Sequence, residues 1–153
     1  MSSLKYTFVK WVHGVANVIF EDNTIKLFEV MSERIEAGLE EAAGELESQV
    51  KRNTRVDTGQ TKNSWQHTVT GSMMAGPHVA IVGSPLENAI WEEFGTGEYA
   101  YNGNGRKGGW SYQDEEGVWH HTYGKKPTRA LHNAVTTKKA ALIRIIADKL
   151  EGL

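Results

Sequence analysis

Apolar residues recur at steps of three or four from Ile25 through Phe28, Met31, Ile35, Leu39, Ala42, Leu46 and Val50, the spacing of one face of an α-helix. The pattern predicts a helix reaching about Arg52, roughly 43 Å long at 1.5 Å per residue. Asp22, Asn23 and Thr24 offer N-caps. Gly38 and Gly44 fall inside it, each costing about 1 kcal/mol relative to alanine in a helix interior, so each is expected to mark a bend or a close crossing. Leu131, Val135, Leu142, Ile145, Ile146 and Leu150 repeat the pattern near the C-terminus and predict a second amphipathic helix, with Gly152 at its end.

Period-two patterns lie around these helices. "KYTFVKWVHGVANVIF" ahead of the long helix is rich in valine and aromatics, which predicts one or two strands split at Gly14. After the helix, a turn at Asp57 to Gly59 leads into alternation through Trp65, His67 and Val69, ending at Gly71. "HVAIVGS" sets Val79 and Ile81 on one face and Ala80 and Val82 on the other, so the two stretches are expected to pair antiparallel. Ser84, Pro85, Leu86 and Glu87 form a capping box for a short helix to Phe94, and Gly95 suits a left-handed C-cap. Trp110, Tyr112, Val118 and Trp119 surround "QDEEG", the signature of a hairpin tip. The expected fold is α+β: a small antiparallel sheet packed by a long helix in the N-terminal half and a C-terminal helix, with a projecting glycine-rich loop and hairpin. It is expected to be a single domain over 1–153, with a strand segment at 1–20, a core of 21–95 and 125–153, and an extended arm at 96–124.

Composition narrows the function. A chain of 153 residues, 39% hydrophobic and 24% charged, fits one domain with a real core. A net charge of −2 gives no global reason to grip nucleic acid. The absence of cysteine removes thiol nucleophiles, disulfides and thiolate metal sites. No apolar run approaches the ~20 residues that span a bilayer, and no signal core is evident, so a soluble, unsecreted chain without a membrane partner is expected. Charge is unevenly placed. From 21 to 52 nine acidic residues face four basic ones, whereas from 125 to 153 seven basic residues face two acidic ones, so the helices carry −5 and +5. They are expected either to lie on one sheet with solvated outer faces or to join the acidic helix of one subunit to the basic helix of the next.

Candidate chemistry is sparse. "IWEEFGTGEYAYNGNGRKGGW" lacks the lysine–serine/threonine ending of a nucleotide P-loop and the spacing of a dinucleotide fingerprint. His120 and His121 are neighbours on a strand and point to opposite faces, so they cannot chelate together, and no metal or cofactor is expected. Asp57, Ser64 and His67 could form a hydrolase site, but no nucleophile elbow surrounds Ser64 and Asp57 is accounted for by its turn, so no catalytic residue is assigned. Arg106, Lys107, Lys125 and Lys126 with the aromatic ribbon would suit an alternative, a small nucleic-acid-binding module.

In order along the chain, "RVDTGQTKNSW", "VGS", "EEFGTG" and "GRKGGWSYQDEEGVWHHTYGKKPTRALHNAV" resemble the tail-component or head–tail joining family of long-tailed phages, the HK-ninety-seven-like minor tail or neck proteins. The resemblance covers roughly 25–150. It aligns Asp57, Thr58 and Gly59 with the strand-entry turn, Ser64 with the serine that follows, and Glu93, Phe94, Gly95, Thr96 and Gly97 with the helix-ending signature. Thr61 stands where the family usually has leucine, and Ala130 and Leu131 replace its Pro-Phe. The resemblance implies a non-enzymatic virion subunit, assembled in the bacterial host cytoplasm, that completes a tail or joins it to a neck. Its partners would be copies of itself in a hexameric ring and an adjacent tail tube, terminator or neck protein, with DNA only passing through. Tyr99, Tyr101, Arg106, Trp110, Tyr112 and Trp119 would then belong to an arm that meets a neighbouring subunit, using glycine freedom before binding and aromatic area afterwards.

Overall fold

The computed structural model describes residues 22–73 and 76–151; the strands expected in 1–20 and the helix end at Gly152 lie outside them. The long helix α1 (Thr24–Asn53) is followed by a single helical turn, α2 (Gln60–Asn63), and an antiparallel pair, β1 (Gln66–Ser72) and β2 (Gly76–Gly83). Helix α3 (Glu87–Phe94), a 3-10 turn (Gly97–Tyr99), a second hairpin of β3 (Trp110–Gln113) and β4 (Trp119–Thr122), and helix α4 (Ala130–Leu150) complete the order. The fold is α+β, as the periodicities predict.

Helix α1 runs between two layers. On one side α4 lies antiparallel to it: Asn53 donates to the Ala130 carbonyl at one end (3.1 Å) and Arg34 to the Glu151 carbonyl at the other (3.1 Å). Gly38 is buried at their crossing, where an added Cβ would stand 3.3 Å from the Ile146 Cα. A larger residue would therefore hold the axes apart. The opposite charges of the two helices meet within the chain, through Glu45–Lys138 (2.7 Å) and Glu41–Lys149 (2.8 Å). These are rim contacts, each contributing about 0–1 kcal/mol.

The other side of α1 carries the first hairpin. His67, Val69, Ala80 and Val82 form its half-buried face, while Val79 and Ile81 are exposed. Gly44, like Gly38, leaves α1 unbroken, and a Cβ there would lie 3.8 Å from the His67 ring. The buried cluster of Val50, Trp65, Ala89, Ala130 and Ala134, with Leu46 and Leu131 against it, lies where the end of α1, the entry to β1, α3 and the start of α4 converge. At the far end of α1, Ile25 and Phe28 continue the apolar periodicity but are exposed.

Three local expectations are corrected. The turn at Asp57 to Gly59 opens α2 before any strand begins, because Gly59 takes a left-handed conformation (φ 83°) at the cap position of that turn. The capping box does not form. Leu86 is extended at the cap of α3 with no side-chain cap bond, and the Ser84 hydroxyl instead accepts from the Leu86 N–H (3.1 Å) and shares a 2.6 Å hydrogen bond with Ser64. Gly95 does end α3 with a positive φ of 70°, but its ψ of 177° is extended rather than helical, a combination open almost only to glycine.

Candidate functional site

Helix α3 ends in Glu92, Glu93, Phe94 and Gly95, and both carboxylates are buried, which requires partners for each. The Glu92 carboxylate accepts from the Thr128 hydroxyl (2.9 Å) and pairs with Lys125, and its backbone carbonyl accepts from the Thr128 N–H (2.7 Å). Burial pushes its pKa up; the Lys125 and Thr128 hydrogen bonds, with the charges of Lys125 and Arg55, outweigh that and hold it below the usual glutamate value. Glu93 reaches the other helix. Its two oxygens accept the Leu131 and His132 N–H groups (2.9 and 3.0 Å) in the first turn of α4. Arg129, at the cap position, supplies no side-chain cap, so Glu93 does that work from another element and sets a negative charge against the positive end of the helix dipole.

Gly95 to Arg129 form a braced unit. Thr96 donates to the Lys125 carbonyl (2.9 Å) and its hydroxyl accepts from the Lys125 N–H (2.9 Å), while Glu98 N–H bonds the Tyr123 carbonyl (2.8 Å) and Tyr101 N–H the Phe94 carbonyl (2.8 Å). A Cβ on Gly95 would stand 2.7 Å from the Lys125 carbonyl, and one on Gly97 2.7 Å from the Trp110 ring. These glycines therefore serve close backbone approach. The Glu98 carboxylate accepts from Gly108 N–H (3.0 Å), closing the loop over its own base. The segment expected as an extended loop and hairpin arm at 96–124 consists of a loop with its own backbone anchors followed by a hairpin.

The residues expected in that arm separate into two groups. Arg129 carries a positive φ of 54°, and its guanidinium packs 3.8 Å from the centre of the Tyr101 ring; Lys126 lies 5.4 Å from that of Tyr99. Arg106 is exposed at a cleft of about 400 Å³ whose walls include Trp91, Phe94, Ala100, Tyr101 and Asn104. Trp110 is half-buried at the foot of the hairpin against Gly97. Farther out, Tyr112 stacks on His120, whereas Trp119 pairs in register with Gln113 and is 70% exposed. Asp114 organises the tip, accepting from the N–H groups of Glu116 (3.0 Å) and Val118 (2.8 Å) and bonding His120 (2.7 Å). The His120 contact, followed by these backbone bonds, lowers its pKa.

The remaining motif residues have structural settings. Thr58 Oγ1 accepts from Gln60 N–H at the start of α2 (3.4 Å), and Ser64 donates to the Thr61 carbonyl (2.8 Å). His67 is held between Glu47 (2.5 Å) and Glu40 (3.1 Å) on α1. Both ring nitrogens face carboxylates, which only accept, so the imidazolium is favoured. The Glu47 hydrogen bond raises the His67 pKa against the opposing effect of burial, and Glu40 adds to it. With Ser64 turned to Thr61 and Ser84 and His67 turned to α1, the suggested nucleophile and base are not assembled. Among the cations of the nucleic-acid alternative, Lys125 is committed to Glu92 and Lys126 lies over Tyr99. Among the described residues, no group of three His, Asp or Glu side chains is placed to hold a metal, and no helix is long and apolar enough to cross a membrane.

Sequence reading missed Glu92 and Glu93 as buried anchors and Arg129 as a left-handed residue. The available signal was the absence of a capping residue at 129, immediately before a strong helical pattern. Fold and site together define an α+β protein whose large exposed rings stand on a braced scaffold. Residues 20–95 match the family model HK97-gp10_like, described as "Bacteriophage HK97-gp10, putative tail-component". Through that stretch, which takes in α1, the first hairpin and α3, the chain belongs to this family of phage tail components, structural proteins of the virion. No curated protein and no solved structure matches the chain.

Proposed function

We propose that the protein is a non-enzymatic tail-completion or neck subunit that forms a ring, six-membered by expectation, around the channel DNA traverses, assembling in the host cytoplasm against an adjacent tail or neck protein. The observation that carries this reading is the set of large apolar side chains left in water on an anchored framework: Ile90, Trp91 and Phe94 on α3, Tyr101 on the loop, and Val118 and Trp119 on the hairpin. Exposed apolar surface on this scale marks a protein-contacting face, and aromatics are the residues interfaces favour. The family supplies the setting, a phage tail.

Replacing Trp119 by serine tests the role of this face. The indole is 70% exposed, so the subunit is expected to keep its fold and melting temperature while completed particles fall sharply in yield. Normal yield from a folded Trp119→Ser chain would contradict the reading of the hairpin as an assembly element.

A further inference from the structure

We propose that the tip of the β3–β4 hairpin of one copy enters the α3–loop cleft of the next copy, a head-to-tail contact that rests on the ring reading above and names its interface. The two surfaces are chemically complementary. The cleft has aromatic walls in Trp91, Phe94 and Tyr101, with Arg106 at its rim and Lys107 next in the chain, both exposed. The hairpin tip carries exposed carboxylates at Glu115 and Glu116 beside exposed Val118 and Trp119. A basic aromatic recess thus has an acidic aromatic projection to match it.

Size and rigidity agree with this pairing. A cleft of about 400 Å³ lies at the small end of the ~300–1,000 Å³ range of ligand-sized recesses, enough for an indole or a valine-led turn. The tip is already organised by Asp114 through Val118 N–H, Glu116 N–H and His120, so little order would be lost on docking. The hairpin does not fill its own cleft, whose walls include no residue of β3, β4 or the tip between them. Its foot is fixed where Trp110 meets Gly97, and four paired residues carry the tip about 13 Å away at ~3.3 Å per residue. A projection and a recess at different places on one subunit make a heterologous contact, the kind that closes into a ring when the rotation permits.

The chain has no cysteine, so single-cysteine variants report the contact directly. Full-length Val118→Cys and Asn104→Cys proteins, mixed in the presence of tail tubes and treated with a short bismaleimide, are expected to give a cross-linked pair. Thr136→Cys, on exposed α4 surface, is expected to give none with Val118→Cys. Adding Arg106→Glu to the Asn104→Cys chain should cut the cross-linked yield about tenfold, and Glu116→Arg in the Val118→Cys chain should recover it. Rings visible by electron microscopy without the 118–104 cross-link would overturn the contact and leave the ring reading standing. Absence of rings with wild-type protein as well would overturn the ring reading and this contact together.

Discussion

Glu93 shows how much one side chain can decide. It is buried at the end of α3 and accepts the second and third N–H groups of α4, 38 and 39 residues farther along the chain. Glu93→Ala should cost about 0.5–2 kcal/mol, the usual worth of an N-cap, with Glu93→Gln losing less because one acceptor oxygen remains. Urea unfolding of the two variants checks this, and equal stability for alanine and wild type would contradict the cap. This residue was not legible in the sequence because its partners are distant backbone groups, whereas Gly95 was legible because a glycine directly after a helical run marks where the chain leaves the helix. His67 carries a pH prediction. Its folded pKa is raised, chiefly by Glu47, so its stabilising contribution is full below the unfolded value near 6.5 and disappears as pH rises through the folded value. Glu47 is lowered, first by Lys51 and then by His67, so its share is present above the unfolded glutamate value and is lost as pH falls through the folded one. The stability gap between wild type and His67→Gln should therefore be widest in mildly acidic solution and shrink as pH rises through the raised His67 value; a gap that widened with rising pH would contradict the Glu47–His67–Glu40 bridge.

At the scale of elements, the regular pieces were legible and their junctions were not. A three-to-four periodicity identifies α1 and α4 because an amphipathic stripe must face a core, and period-two alternation identifies the first hairpin for the same reason; the second hairpin, most of whose residues are exposed, was legible from the aromatics flanking its QDEEG turn. The turn α2 and the failed capping box escaped because they depend on competing local bonds, Ser84 with Ser64 above all. Trp65 was legible only as a strand residue; in the structure it is the large side chain of the buried cluster, among Val50 and three alanines. Trp65→Ala should destabilise the fold by about 3–5 kcal/mol, measured by chemical denaturation, and a loss under 1 kcal/mol would show that the cluster is not the core. Gly97→Ala tests the braced loop. The residue has a φ of 59° and a Cβ would press on Trp110, so the substitution should cost at least about 1 kcal/mol and raise amide exchange over 96–109 and the hairpin foot. Unchanged exchange would mean that the loop is not seated on the hairpin.

For the whole molecule, the opposite charges of α1 and α4 are largely an intrachain matter. Glu45–Lys138 and Glu41–Lys149 join the helices of one subunit, so the proposed contacts between copies draw on the exposed rings of α3, the loop and the hairpin instead. The family match ends at residue 95, where the folded loop begins. Its portion of the chain supplies the long helix, the first hairpin and α3, and the segment beyond supplies the loop, the second hairpin and the helix that Glu93 caps. The claim that the subunit completes a tail by ring assembly is tested most directly by electron microscopy of the purified protein mixed with tail tubes, with the mass of the protein alone measured alongside. A ring or cap at one end of each tube, with its subunits countable, is the predicted result; a protein that stays monomeric and leaves both tube ends bare would contradict the account.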